Sequence, residues 1–115
     1  MFSSLKSKTD FDHVYEKGKI FGNRNFTLRY VKNGKDANRL GIVVSKKVSN
    51  RAVHRNRIRR QIREAYRSTE NAVKQGYDLI ITAKPSCLGE DYSVLSRSLN
   101  HLFYKQDLLN RNQKK

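Results

Sequence analysis

A chain of 115 residues can close one modest hydrophobic core and is too short for two. Lys and Arg number 25 against 10 Asp and Glu, a formal charge of +15, and a compact state with that surplus repels itself until a polyanion relieves it. One cysteine, Cys87, excludes an internal disulfide and fits a reducing, cytoplasmic setting; no apolar run approaches the ~18 residues of a spanning helix and no signal-peptide core is present, so a soluble protein is expected.

In chain order, residues 1–8 are polar and basic and read as a mobile arm. Thr9 and Asp12 stand at capping-box spacing; Phe11, Val14 and Tyr15 follow at helical spacing, and Gly18 offers a stop, which predicts a short helix. A strand is read around residues 19–21. Residues 26–31 alternate, with Phe26, Leu28 and Tyr30 on one face, and Asn33-Gly34 is a strong turn pair. Residues 39–45 read as a buried strand. A long helix follows between Lys46 and about Val73, stopped by Gly76. Residues 77–83 form another apolar strand, closed by Pro85, and residues 86–91 a loop. Tyr92, Leu95, Leu99, Leu102 and Phe103 mark a last amphipathic helix, and residues 110–115 a frayed polar tail.

The order α-β-β-β-α-β-α makes this an α+β fold. It is an α/β sandwich in which helices pack on a four-stranded sheet, with a single domain over residues 1–115. The strand–helix–strand unit over residues 40–83 requires its two strands to be parallel.

The informative stretch runs from residue 46 to residue 67. It holds nine basic residues, Lys46, Lys47, Arg51, Arg55, Arg57, Arg59, Arg60, Arg63 and Arg67, against one acid, Glu64: a local +8. At about 100° per residue, Ile58, Ile62 and Ala65 share a face that can pack on the sheet, and Asn56, Arg59, Arg60, Arg63 and Arg67 cover the opposite side. Arg55 and Arg57 flank the apolar face and can reach past the helix edge. A charged helix face is ordinarily just solvated, but with signs mixed. Here like charges recur at i,i+4 from Arg55 to Arg67, a pattern that destabilises a helix without a partner. Arginine grips phosphate with two parallel hydrogen bonds and stacks on bases, so a nucleic acid is the expected ligand.

The run Arg55-Asn56-Arg57-Ile58-Arg59-Arg60-Gln61-Ile62-Arg63-Glu64 resembles the RNR motif of the bacterial ribonuclease P protein family. The flanking words agree in order: Gly41-Ile42-Val43-Val44-Ser45-Lys46-Lys47-Val48 before it, and Asp78-Leu79-Ile80-Ile81-Thr82-Ala83-Lys84-Pro85 after it. So do Phe11, Val14, Tyr15 and Gly18 near the start, and Leu99-Asn100-His101-Leu102-Phe103 near the end. The resemblance implies a left-handed crossover around the basic helix, where general rules favour a right-handed one. It implies a catalytic RNA subunit that holds Mg²⁺ and removes the 5′ leader of precursor tRNA, so ribonuclease P RNA and precursor tRNA are the expected partners. The protein would face that RNA through Lys46, Lys47, Arg51, Arg55, Asn56, Arg57, Arg59, Arg60, Arg63 and Arg67. It would hold the single-stranded leader in a cleft between the first helix and the sheet.

Single-stranded RNA binds aromatic platforms in a basic groove. Phe11 and Tyr15 on the first helix, with Phe26 and Tyr30 on one strand face, are the candidate cleft residues. Phe11 and Phe26 are also natural core residues, whereas the polar tips of Tyr15 and Tyr30 suit exposed stacking. If the other strand face lines the cleft, Arg29 takes the place of Tyr30. No catalytic residue and no metal set is expected in the protein: His13, His54 and His101 are scattered, and Asp10 and Asp12 read as capping residues. Competing readings are a general RNA-binding protein, and a protein ribonuclease using His13 or His101 with a lysine. DNA and membrane partners are excluded: no helix-turn-helix precedes the basic helix, whose apolar side lacks membrane-seeking Trp, Phe and Leu.

Overall fold

The computed structural model describes residues 2–110. Its frame is set by β3 (Phe26–Lys32), whose strict alternation buries Phe26, Leu28 and Tyr30 on one face of the sheet. β3 pairs antiparallel with β5 (Tyr77–Ala83) over seven residues, from Phe26↔Ala83 to Lys32↔Tyr77. On its other side lies β2 (Lys19–Gly22), also antiparallel. β4 (Arg39–Val43) runs parallel to β5, as the strand–helix–strand order requires, with α2 (Ala52–Thr69) between them in sequence. β5 is central and buried along nearly its whole length, which is why it reads as an unbroken apolar run rather than an alternating one.

Two helices cover one face and one helix the other. Ile58, Ile62, Ala65 and Tyr66 of α2, with Leu95, Leu99, Leu102 and Phe103 of α3 (Tyr92–Lys105), close the main core over Phe26, Leu28, Tyr30, Leu79 and Ile81. The short α1 (Lys8–Lys17) lies on the opposite face, where Val14 and Leu5 pack with Ile80, flanked by Phe11, Val31 and Val43.

Three expectations are corrected. The sheet has five strands in the order β1-β4-β5-β3-β2, not four. The extra strand, β1 (Ser3–Ser4), falls in the segment expected to be a mobile arm. Two isolated apolar residues tie that arm down: Leu5 is buried beside Val14, and the Phe2 ring meets Tyr66 edge-on at 4.8 Å. A pair of apolar residues in a basic stretch produces no periodicity, so their anchoring was invisible along the chain. The cap of α1 is Ser7, whose Oγ accepts from Asp10 N at 3.0 Å, rather than Thr9, which lies inside the helix. At the other terminus, Leu108 is buried and Asn110 N donates to Ala72 O at 2.8 Å, so the tail is held as far as residue 110. The rest of the expected frayed tail lies outside the described residues.

Candidate nucleic-acid interface

α2 places its charges by periodicity. With Ile58, Ile62, Ala65 and Tyr66 fixed against the sheet, Asn56, Arg57, Arg60 and Arg67 are fully on the outside, and Arg59 and Arg63 are half-exposed beside them. The side-chain bonds of the helix arginines go to neutral groups. Arg55 Nη1 donates to Ser49 O at 3.0 Å, and Arg59 donates to Asn56 Oδ1 at 2.8 Å and Val44 O at 3.3 Å. Among the described residues no α2 arginine is in an ion pair. Arg55 and Arg59 are therefore partly structural, while Arg57, Arg60 and Arg67 project without a partner among the described residues. Lys46, Lys47 and Arg51 stand exposed at the turn between β4 and α2. The first turn of α2 has no acidic residue and no side-chain cap, so its backbone N–H groups face the same basic end.

Register shows which face of β3 lies under α1. Thr27, Arg29 and Val31 occupy the face of β3 under α1, beside Thr82, Ile80 and Asp78 of β5. Phe26 is wholly buried and Tyr30 is 7% exposed, both in the main core on the opposite face; the Tyr30 hydroxyl donates to Gln106 Oε1 at 2.7 Å. Their assignment to the cleft is therefore corrected. Burial pushes the Tyr30 phenol above its ordinary range, with Tyr77 adding to the effect. The other two predicted cleft residues, Phe11 and Tyr15, lie on α1. Tyr15 is 47% exposed, with the Arg29 guanidinium 5.0 Å over its ring centre, a cation–π pair. Phe11 lies flat on Gly41: a Cβ there would sit 2.7 Å from Phe11 Cζ, so a glycine is needed for α1 to come this close to the sheet. The same logic explains Gly18, whose absent Cβ would meet Val14 O at 2.5 Å; its backbone is ordinary extended chain.

Two residues missed along the chain line this face. Thr82 Oγ1 is buried without a hydrogen-bond partner among the described residues. Lys84 closes the end of the face, its Nζ donating to Asn23 O at 2.6 Å. Counting every second residue along β5 from Ile80 would have found both.

A charged network pins α1 to the sheet. Arg39 donates from Nε and Nη2 to the two carboxylate oxygens of Asp78 at 2.8 and 2.7 Å, and from Nη1 to Asp10 Oδ2 on α1 at 3.1 Å. Asn33 Nδ2 adds a third donor to Asp78 at 3.0 Å. Burial alone would raise the Asp78 pKa; the hydrogen bonds from Arg39 and Asn33, and the Arg39 charge with His13 behind it, reverse this and hold the carboxyl below its usual range. The Asp78 hydrogen bond in turn pushes the Arg39 guanidinium upward.

His13, His54 and His101 stay apart. Among the described residues no three His, Cys, Asp or Glu side chains gather as a metal set, and no helix is long and apolar enough to cross a membrane.

The fold and the charge layout define a small basic α+β protein built on a strand, an arginine-faced helix and a parallel strand. The ribonuclease P family model matches residues 2–107. The ribonuclease P protein component of Lachnoclostridium phytofermentans is 44% identical over 102 residues, covering 89% of this chain and 87% of the relative. That of Clostridium acetobutylicum is 42% identical, covering 91% and 89%. Among solved structures, the Staphylococcus aureus RNase P protein superposes with a TM-score of 0.85 at 32% identity, over 93% of this chain and 97% of the other. The Thermotoga maritima RNase P protein gives 0.82 at 28% identity, over 90% and 96%. The chain belongs to the ribonuclease P protein family.

Proposed function

We propose that this chain is the protein subunit of a cytoplasmic ribonuclease P, which binds the catalytic RNA and the 5′ leader of precursor tRNA and assists endonucleolytic removal of that leader. The observation that carries the reading is the α2 stripe: outward arginines without an acidic partner among the described residues, on a helix whose other face is locked in the core. Holding cations on a rigid frame lets phosphates replace their counterions with little ordering cost in the protein. The stripe, with Lys46, Lys47 and Arg51, takes the RNA subunit.

The face under α1 takes the leader. Tyr15 offers a stacking surface, Arg29 a cation beside it, and Lys84 a second positive end. Phe11 supports this arrangement from below by seating α1 on Gly41. A single-stranded segment suits the site, because only unpaired bases can turn toward an aromatic ring.

The chemistry belongs to the RNA. Mg²⁺, which the resemblance implies for the holoenzyme, is held mainly by that RNA in this reading, while the carboxylates of Asp10 and Asp78 accept from Arg39.

The test is cleavage of precursor tRNA at limiting Mg²⁺ by the protein alone, by a bacterial ribonuclease P RNA alone, and by both. Cleavage at the mature 5′ end that depends on the pair is the expected result. Cleavage by rigorously purified protein alone would make it a nuclease, and no effect on the RNA's reaction would leave a general RNA-binding protein.

A further inference from the structure

A cavity of about 230 Å³ opens where the first turns of α2 meet the loop after β5. It differs in kind from the arginine stripe beside it. Its floor is apolar, made by Ile58, Cys87 and the half-exposed Leu88. Cys87 contributes a neutral thiol: burial pushes it up to about 11, and its Sγ donates to Asn25 O at 3.2 Å. The rim is polar, with Gln61 and Arg57 from α2 and Glu90 from the loop. Ser49 Oγ engages His54 Nδ1 at 3.0 Å and fixes that ring at the cavity wall.

Glu90 decides what the cavity suits. It is an acid on the flank of the most basic helix of the molecule, and although Arg57 lines the same cavity, Glu90 forms no ion pair among the described residues. A carboxylate in that position repels phosphate. It attracts a hydrogen-bond donor, and the apolar lining of Ile58, Cys87 and Leu88 suits the face of a ring. A nucleobase with an exocyclic amine has both properties, and Gln61 adds the amide that pairs with a purine edge through one donor and one acceptor.

We infer that this cavity is a base pocket, which receives the amino-bearing purine of an unpaired nucleotide while the adjoining phosphates lie outside on Arg57 and Arg60. The ring rests on Ile58, Cys87 and Leu88, Gln61 pairs with its edge, and Glu90 accepts from the amine. The α2 surface then reads a base as well as holding backbone, which the stripe by itself cannot do. This inference rests on the proposed reading that RNA lies along α2.

Two measurements test it. The first is equilibrium binding of a bacterial ribonuclease P RNA to the full chain and to Glu90→Ala and Gln61→Ala, with thermal melts showing that each variant folds. Removing an acid beside a polyanion tightens binding on charge grounds alone. A lost base contact instead weakens it, by about tenfold for each variant. Weaker binding by both is the expected result; tighter or unchanged binding by Glu90→Ala overturns the pocket while the stripe stands. If the unaltered chain does not bind the RNA, the underlying reading fails, and the second measurement judges the pocket independently. In it, ¹H–¹⁵N spectra of the chain are titrated with AMP, UMP and inorganic phosphate. AMP is expected to shift the Gly89 amide and the Gln61 side-chain amide saturably, with at least fivefold more UMP or phosphate needed for the same effect. Equal responses to all three overturn the inference.

Discussion

Replacing Arg39 by alanine strikes the point where α1 is fastened to the sheet. The substitution removes two charged hydrogen bonds to Asp78 and one to Asp10, and leaves Asp78, which is 2% exposed, with Asn33 alone. Breaking a buried pair from one side costs about 3–5 kcal/mol. The Arg39 side chain is itself 23% exposed, so water enters the gap, and about 2–3 kcal/mol is the expected loss. For a domain of this size that lowers the melting temperature by roughly 10–20 °C. The sign with pH follows from Asp78. Its folded pKa is depressed, so in the unaltered protein its stabilising contribution is complete above the ordinary carboxylate range and is lost as pH falls through the depressed value. Without Arg39, burial dominates and the pKa rises above the ordinary value; the penalty is then largest at neutral pH and relieved on acidification. The gap between the two proteins should therefore narrow between pH 7 and pH 4, as read by urea unfolding at each pH. Arg39→Ala combined with Asp78→Asn should recover part of the loss at pH 7, because no buried charge remains. A loss under about 1 kcal/mol, or one of equal size at both pH values, would refute the reasoning.

Neutralising six to eight phosphates gives binding of ribonuclease P RNA a slope of roughly −4 to −7 in log K against log salt; a slope near zero would rule out a phosphate-binding stripe. Arg60→Ala with Arg67→Ala, both outward-facing, should flatten that slope by about 1–2 and leave the unfolding midpoint nearly unchanged. Tyr15→Ala should weaken precursor tRNA with a long leader and spare mature tRNA. Tyr30→Phe should cost about 1 kcal/mol of stability through the lost bond to Gln106, with no leader effect; paired binding and melting measurements separate the two. Gly41→Ala drives a methyl into Phe11 and should cost about 1–3 kcal/mol while weakening leader binding, as melting and leader-length comparisons would show. Unchanged behaviour in both would mean that the seat of α1 is irrelevant to the cleft.

The stripe was legible in the sequence because a helix converts sequence spacing directly into direction. Once Ile58 and Ile62 mark the buried side, the outward arginines follow without knowledge of any other element. The family resemblance rested on such local words, and so did the parallel pairing of β4 with β5. The face under α1 was not legible in this way. Alternation shows that Phe26, Leu28 and Tyr30 share a side of β3, but a strand in the middle of a sheet has two covered sides. Which helix lies over which side is fixed only when α2 and α3 take one face and α1 the other. That choice buried Phe26 and Tyr30 and brought Arg29 under Tyr15. The docking of Phe2 and Leu5, the Arg39 link between α1 and β5, and the cavity between Gln61 and Glu90 are likewise tertiary products. Each joins residues far apart in the chain, and each depends on distances that no local period encodes. The sequence by itself determined a charged helix and its outward face; the packing of three helices on two sides of one sheet decided which face of β3 lies under α1, because that depends on contacts between residues far apart in the chain.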